Sequence, residues 1–425
     1  MEIIIITIFS LGYLLIAFEH NLKIDKAAVA LITGVLTWAV FVFFGDHHII
    51  EEQLAHHLID IAEIVFFLLG AMTIVELVDS HQGFRVITDK IKTTNAIKLL
   101  WIISLLTFVF SAVLDNLTTA IVMAALLTKL IKDRKQLLFF AGMMILSANA
   151  GGAWSPIGDI TTIMLWVGGQ ISLNIIQAII LPSLVCMIVP LIYVSFKYRG
   201  IMIARPDMKS MEKIVEVIPY ERNIIFALGV IGLLFVPLFK TITHLPPYMG
   251  MLLSLGVLWV VTEIIHQNKD KTHKHSLTVA GALSKIETST IFFFLGILLA
   301  VGSLQSTGIL NSLAEILDKL FDGNLYMINI FIGFLSSILD NVPLVAGAMG
   351  MYEISTVGEF AVDGMFWEFL AYCAGTGGSL LIIGSAAGVA VMGILKINFI
   401  WYIKNITFLA LIGYLSGAIT FILIQ

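Results

Sequence analysis

The stretch Ser111–Ala120 (SAVLDNLTTA) sets an acid, Asp115, and an amide, Asn116, inside otherwise apolar sequence. It is echoed as Ser336–Val345 (SSILDNVPLV), in which Ser111, Leu114, Asp115 and Asn116 return as Ser336, Leu339, Asp340 and Asn341. Working outward, Gly151–Gly158 (GGAWSPIG) returns as Gly377–Gly384 (GGSLLIIG), and Phe66–Gly70 (FFLLG) returns as Phe292–Gly296 (FFFLG). Three matches in one order, at nearly one offset, make the chain two copies of one unit, each carrying Asp-Asn in an apolar setting.

Composition gives the class. Of 425 residues, 59% are hydrophobic and 12% charged, about half the charge of a soluble domain, so the chain reads as an integral membrane protein. The net charge of −5 is carried in loops and names no partner. No basic stripe or nucleic-acid motif is present. Cys186 and Cys373 both fall in apolar runs, which argues against a disulfide framework or a metal site. The N-terminal run lacks a basic region and a small-residue cleavage site, so it reads as a retained membrane helix and not a signal peptide.

Apolar runs long enough to span lie near 3–18, 27–44, 59–79, 137–169, 174–197, 223–240, 248–266, 288–306, 368–395 and 399–424. Two more, 96–131 and 325–352, carry Asp-Asn followed by a polar or proline-containing turn signal at their middle. Each is either one long helix or two half-helices meeting at depth, which is allowed where the backbone lines a cavity. Lysine and arginine decide. With both runs as re-entrant hairpins, the segments 19–26, 80–98, 129–136, 197–222, 267–287 and 396–404 share one side. Of the 24 basic residues only Lys240 and Lys319 fall on the other. That is the positive-inside asymmetry. The expected fold class is an all-α polytopic membrane protein of two inverted repeats, residues 1–197 and 223–425. Each has five spanning helices plus one re-entrant hairpin, with broken helices at 137–169 and 368–395. A cytoplasmic linker at 198–222 joins them, and both termini are external. Discontinuous helices at a repeat interface are a transporter architecture.

No lysine or arginine is expected at membrane depth, whereas Asp115, Asp159 and Asp340 are. A charged acid there costs at least a few kcal/mol, so each must be protonated or neutralised by a bound cation, as a proton/cation exchange site requires. The stretch Ser147–Trp166 (SANAGGAWSPIGDITTIMLW) suits that cargo. Its glycines and Pro156 unwind a helix and free carbonyls, which with Asn149, Asp159, Thr161 and Thr162 are hard oxygen ligands. In the second copy the position of Asp159 is Ser385, so the site is asymmetric. Asp115, Asn116, Asn149, Asp159 and Thr161 or Thr162 are expected to dominate, with Asp340, Asn341, Thr376, Ser379 and Ser385 as the second wall.

The segments Asp115–Ala120 (DNLTTA), Ser147–Trp166, Phe66–Ile91 and Leu339–Pro343 (LDNVP) resemble the NhaD type of sodium/proton antiporter, within the ion transporter superfamily that also contains arsenite permeases. The resemblance runs from about residue 59 to the C-terminus. It implies efflux of Na⁺ or Li⁺ in exchange for H⁺ across the cell inner membrane, with no cofactor. Its motif matches make Asp115, Asn116, Asn149, Asp159, Thr161, Thr162 and Asn341 the functional residues, with Asp115, Asn116 and Asp159 around the cation. It further implies a lipid-embedded homodimer in which each protomer has a scaffold and a moving part, and transport by alternating access. Carboxylate transporters of the superfamily place Ser-Asn-Thr at the hairpin tips. An aspartate there would repel an anion.

Blander readings compete. Asp115 and Asp340 could merely cap helices. The glycine pairs could be close-packing points between helices. Glu63 and Glu76 are as readily interfacial as pathway residues. Gly45–His57 (GDHHIIEEQLAHH) reads as a solvated external loop, with a zinc site or pH sensor as the alternative. A permease for arsenite or another small solute would need no titrating acid. An intramembrane aspartyl protease would leave the second copy unexplained.

Overall fold

The computed structural model describes residues 1–17, 22–88, 90–197, 199–204, 218–267 and 277–425. Residues 205–217, most of the expected linker, lie outside the described residues. The described residues form helices and no strand beyond two isolated bridges. Those of eight residues or more are, in the first half, α1 (Glu2–Ala17), α2 (Lys26–Phe44), α3 (His47–Ser80), α4 (Ala96–Leu114), α5 (Asn116–Leu130), α6 (Arg134–Ala153), α7 (Ile160–Val167) and α8 (Ile175–Lys197). In the second they are α9 (Pro219–Thr243), α10 (Pro247–Ile265), α11 (Thr288–Ser306), α12 (Ile309–Leu320), α13 (Leu325–Ile338), α14 (Asn341–Met351), α15 (Met365–Gly377), α16 (Ala386–Leu395) and, after a π-helical turn at Ile403–Thr407, α17 (Phe408–Ile424). Nine helices among the described residues are long and apolar enough to cross a membrane.

Both Asp-Asn stretches are broken at the aspartate. Asp115 caps α5 at φ 82° and Asp340 caps α14. The first break is a hairpin. Ile203 N–H donates to Thr94 O and Ala96 N–H to Ile201 O, while Lys132 N–H donates to Ala204 O. One short segment, 201–204, thus touches both the start of α4 and the end of α5. Four residues span no more than about 14 Å, so both flanks lie at one end of the bundle. In the second copy Tyr352, just after α14, donates to Asp318 (3.0 Å) at the end of α12. The chain then bends by 115° into α13.

Several contacts correspond between the two halves. Ser111 Oγ donates to Ala148 O and Ser336 Oγ to Ala374 O. A Cβ on Gly151 would collide with the Phe108 carbonyl, and one on Gly377 with that of Gly333. The glycine pairs are therefore close-approach points that hold each broken helix against its hairpin. Asp159 and Ser385, the caps of α7 and α16, share one backbone conformation (φ −145°, ψ 150° and φ −143°, ψ 149°).

Two expectations are corrected. Residues 45–57 are not a loop. Asp46 caps a helix from His47 that runs 34 residues into α3, about 51 Å, longer than the ~30 Å hydrocarbon layer. His47 and His48 stand more than two turns from His56 and His57, and no metal-binding cluster occurs among the described residues. The expected linker is also shorter than 198–222, because α9 begins at Pro219, whose fixed φ suits a first helical turn.

α2 and α11 pack in parallel. Gly34 meets Gly296, and Trp38 Nε1 donates to Leu299 O (2.8 Å), so Lys26 and Glu287 stand at the same end. α3 runs antiparallel to α11, with His57 Nε2 3.1 Å from Ser306 Oγ and Glu76 3.2 Å from Lys285 Nζ.

Candidate functional site

Four helix N-termini, those of α5, α7, α14 and α16, supply most polar residues of the site, with Asn149 from the end of α6 and Ser379 from just after α15. Each is capped by its own side chain: Asp115 from Thr118 N–H, Asp159 from Thr161 N–H, Asp340 from Val342 N–H and Ser385 from Gly388 N–H. Helix N-termini carry partial positive charge, so these acids have a local counter-charge that an isolated buried carboxylate lacks.

A buried hydrogen-bonded chain runs between the two copies. Asn116 Nδ2 donates to Asp159 Oδ2 (2.5 Å) and Asn149 Oδ1 (3.3 Å). Asn149 Nδ2 donates to Ser379 Oγ and Ser385 Oγ, both at 2.9 Å. All five residues are at most 3% exposed. Around Asp159, Thr161 donates its N–H to Oδ1 (3.1 Å), and Thr162 Oγ bonds back to the Asp159 backbone to complete a capping box. The Thr161 hydroxyl is buried without a hydrogen-bond partner. Six of the eleven expected residues, Asn116, Asn149, Asp159, Thr162, Ser379 and Ser385, are thus joined directly, and Thr161 adjoins them.

The other four differ. Asp115 does not join the chain. Its two oxygens accept from Thr118 N–H and Thr118 Oγ, each at 2.8 Å, and it borders a small apolar cavity with Phe67, Leu68, Met72 and Met251. The neighbouring amide, Asn116, reaches Asp159 instead. Thr376 turns its hydroxyl back to Tyr372 O (2.6 Å), so it serves its own helix. Asn341 and Asp340 line a cavity of about 120 Å³ that also borders Asn116 and Asp159.

That cavity holds residues the sequence reading missed. Lys26, Glu287 and Thr290 line it, and Lys26 Nζ lies 3.1 Å from Asp340 Oδ2. The expectation that these acids have no basic side chain to pair with therefore fails at Asp340. Lys26 and Glu287 sit at the first turns of two apolar spans, where a charge count assigns them to loops. The approach of Asp340 to these helix ends brings them together, and no pattern in the sequence signals it. Cavity size and lining suit a small polar solute: a few waters fill such a volume, and its polar groups are chiefly carboxylates and amides.

Comparison with known proteins agrees with this architecture. A family model described as a citrate transporter matches residues 13–367. Sodium/proton antiporter 2 of Arabidopsis thaliana is 43% identical, with 98% of each chain covered. Sodium/proton antiporter 1 of the same plant is 44% identical over 98% of this chain and 72% of its own length. The Na⁺/H⁺ antiporter NhaD of Vibrio cholerae is 30% identical over 98% of this chain and 91% of its own. With that coverage, and with a bundle of spanning helices around a buried acid-amide chain, the protein belongs to the NhaD-type sodium/proton antiporter family of membrane transporters.

Proposed function

We propose that this protein exports Na⁺, or Li⁺, in exchange for H⁺, with both cations competing for the Asp159 carboxylate. The observation that carries the reading is the chain from Asp159 through Asn116 and Asn149 to Ser379 and Ser385. It places one ionisable acid among amide and hydroxyl oxygens, with no base among its hydrogen-bond partners there. Oxygen donors of this kind suit small hard cations. A carboxylate can hold a proton or share in a cation's shell, but not both, and this exclusion is exchange chemistry. Asp115, held by Thr118, serves chiefly to build the hairpin tip. Asp340 and Asn341 form the facing wall. A citrate-like anion, suggested by the description of the family model, would meet Asp159, Asp340 and Glu287 across one cavity, an unfavourable arrangement for like charges.

Two inverted repeats, with the lysine- and arginine-rich ends cytoplasmic, give both copies one mechanical role in an inner membrane. The hairpins and broken helices move as a unit against a scaffold that includes α2, α3, α10 and α11, in an elevator-like cycle, each protomer of a homodimer acting alone. Support comes from the parallel α2–α11 pair and from the link between the cytoplasmic flanks of the first hairpin through residues 201–204. The decisive experiment is the apparent KM for Na⁺ in everted vesicles between about pH 6 and pH 9. Competition for one carboxylate requires KM to rise about tenfold per pH unit on the acid side, and added Na⁺ to restore the rate. A flat KM with a changing maximal rate would place the proton elsewhere.

A further inference from the structure

Lys26 is the first residue of α2 and a wall of the cavity that reaches Asp159. Its Nζ sits 3.1 Å from Asp340 Oδ2, with the two side chains 23% and 14% exposed. The same Nζ lies 4.3 Å from the centroid of the Phe293 ring on α11. The ion pair therefore ties a spanning helix of the first copy to the hairpin tip of the second. An ammonium and a sodium ion carry the same charge, and both satisfy a carboxylate.

We propose that Lys26 is a tethered competitor for the transported cation: its ammonium occupies Asp340, leaves Asp159 as the acid that takes Na⁺, and thereby sets the Na⁺ affinity of the site. This rests on the antiporter reading above. The flexible stem of lysine lets the charge move, and the face of Phe293 offers it a second resting place when a cation approaches Asp340. Glu287 and Asp159 are acids on the walls of the same cavity.

The test uses the full chain in proteoliposomes at one fixed pH. Apparent KM for Na⁺ is measured for the native protein, Lys26→Gln, Lys26→Arg, Asp340→Asn and the Lys26→Gln/Asp340→Asn double variant, with the melting temperature of each. Removing the competitor exposes a second carboxylate, so Lys26→Gln lowers KM by about three- to tenfold, the size of a partly screened ion pair. Lys26→Arg stays within about twofold, because the charge remains. Asp340→Asn leaves the ammonium facing an amide and raises KM by a similar factor. The double variant returns toward the native value. Opposite signs that cancel are what a merely structural brace cannot produce. Equilibrium ²²Na⁺ binding to the solubilised protein gains a second site in Lys26→Gln. Unchanged KM in Lys26→Gln beside a working native protein, or losses that add in the double variant, overturns the proposal. If Lys26→Gln fails to fold, an Asp340→Asn protein whose KM does not rise overturns it equally. Absence of Na⁺-dependent exchange in the native protein would instead sink the antiporter reading, and this proposal with it.

Discussion

Replacing Asp159 and Ser385 separately should divide function from stability. The two residues cap α7 and α16 from the same backbone conformation. Asp159→Asn keeps a side-chain oxygen for Thr161 N–H, and asparagine caps helices as well as aspartate does. The change in unfolding free energy should stay within about 0.5 kcal/mol. What vanishes is the charge. A hydrogen bond or ligand contact made by a charged group is worth about 1.5–3 kcal/mol, so cation affinity should fall by about 10- to 150-fold. An amide also binds no proton, so any transport left at high Na⁺ should move no H⁺. Ser385→Ala does the reverse. It removes the cap of Gly388 N–H and one acceptor of Asn149 Nδ2, for about 1 kcal/mol. Ser379 still accepts from Asn149, so exchange should persist. The assay pairs fluorescence-dequenching exchange in everted vesicles with thermal unfolding in detergent. Asp159→Asn should melt like the native protein and exchange nothing, while Ser385→Ala melts about 1–2 °C lower and exchanges. Near-normal proton-coupled exchange by Asp159→Asn would refute the assignment of the acid.

Asp115→Asn should retain most exchange, since asparagine tolerates the positive φ at this turn and can still accept from Thr118; a loss as deep as that of Asp159→Asn would return Asp115 to the ion site. Gly151→Ala and Gly377→Ala each push a methyl into a backbone carbonyl and should cost about 1–3 kcal/mol, read as a lower melting temperature. Equal stability to the native protein would mean the helices can separate there. Cysteine placed at Asp46 should label with impermeant reagent only from outside and cysteine at Lys132 only from the cytoplasm. Labelling of both from one side would remove the hairpin at 96–131.

The breaks at Asp115, Asp340, Trp154–Asp159 and Gly378–Ser385 were legible because glycine, proline and Asp-Asn leave marks on a sequence that is otherwise uniformly apolar. The repeat was legible for the same reason: its matched residues are those that chemistry or close packing holds fixed. Direction was not. An acid at depth is visible in a string of letters, but whether its carboxylate turns into its own helix, as at Asp115, or across to another, as at Asp159, depends on a few dihedral angles. Lys26 was misplaced because a charge at the edge of a span looks like a loop residue wherever the hairpin tips lie. The helix at 47–57 was missed because its histidines and glutamates, polar in composition, are compatible with a solvated helix as readily as with a loop.

The matched caps Asp159 and Ser385 bear on how such a carrier can change over generations. A carboxylate and a hydroxyl hold the same turn with little difference to folding. Two base changes in a codon can therefore add or remove a negative charge at the centre of the protein and leave its architecture intact. A membrane potential of 100 mV is worth about 2.3 kcal/mol for each elementary charge carried across. Replacing either cap by the other's residue type would thus alter how strongly the cycle draws on voltage rather than on the pH gradient. A gene encoding two near-copies of one unit holds this choice in two places, and descent can adjust either without rebuilding the other.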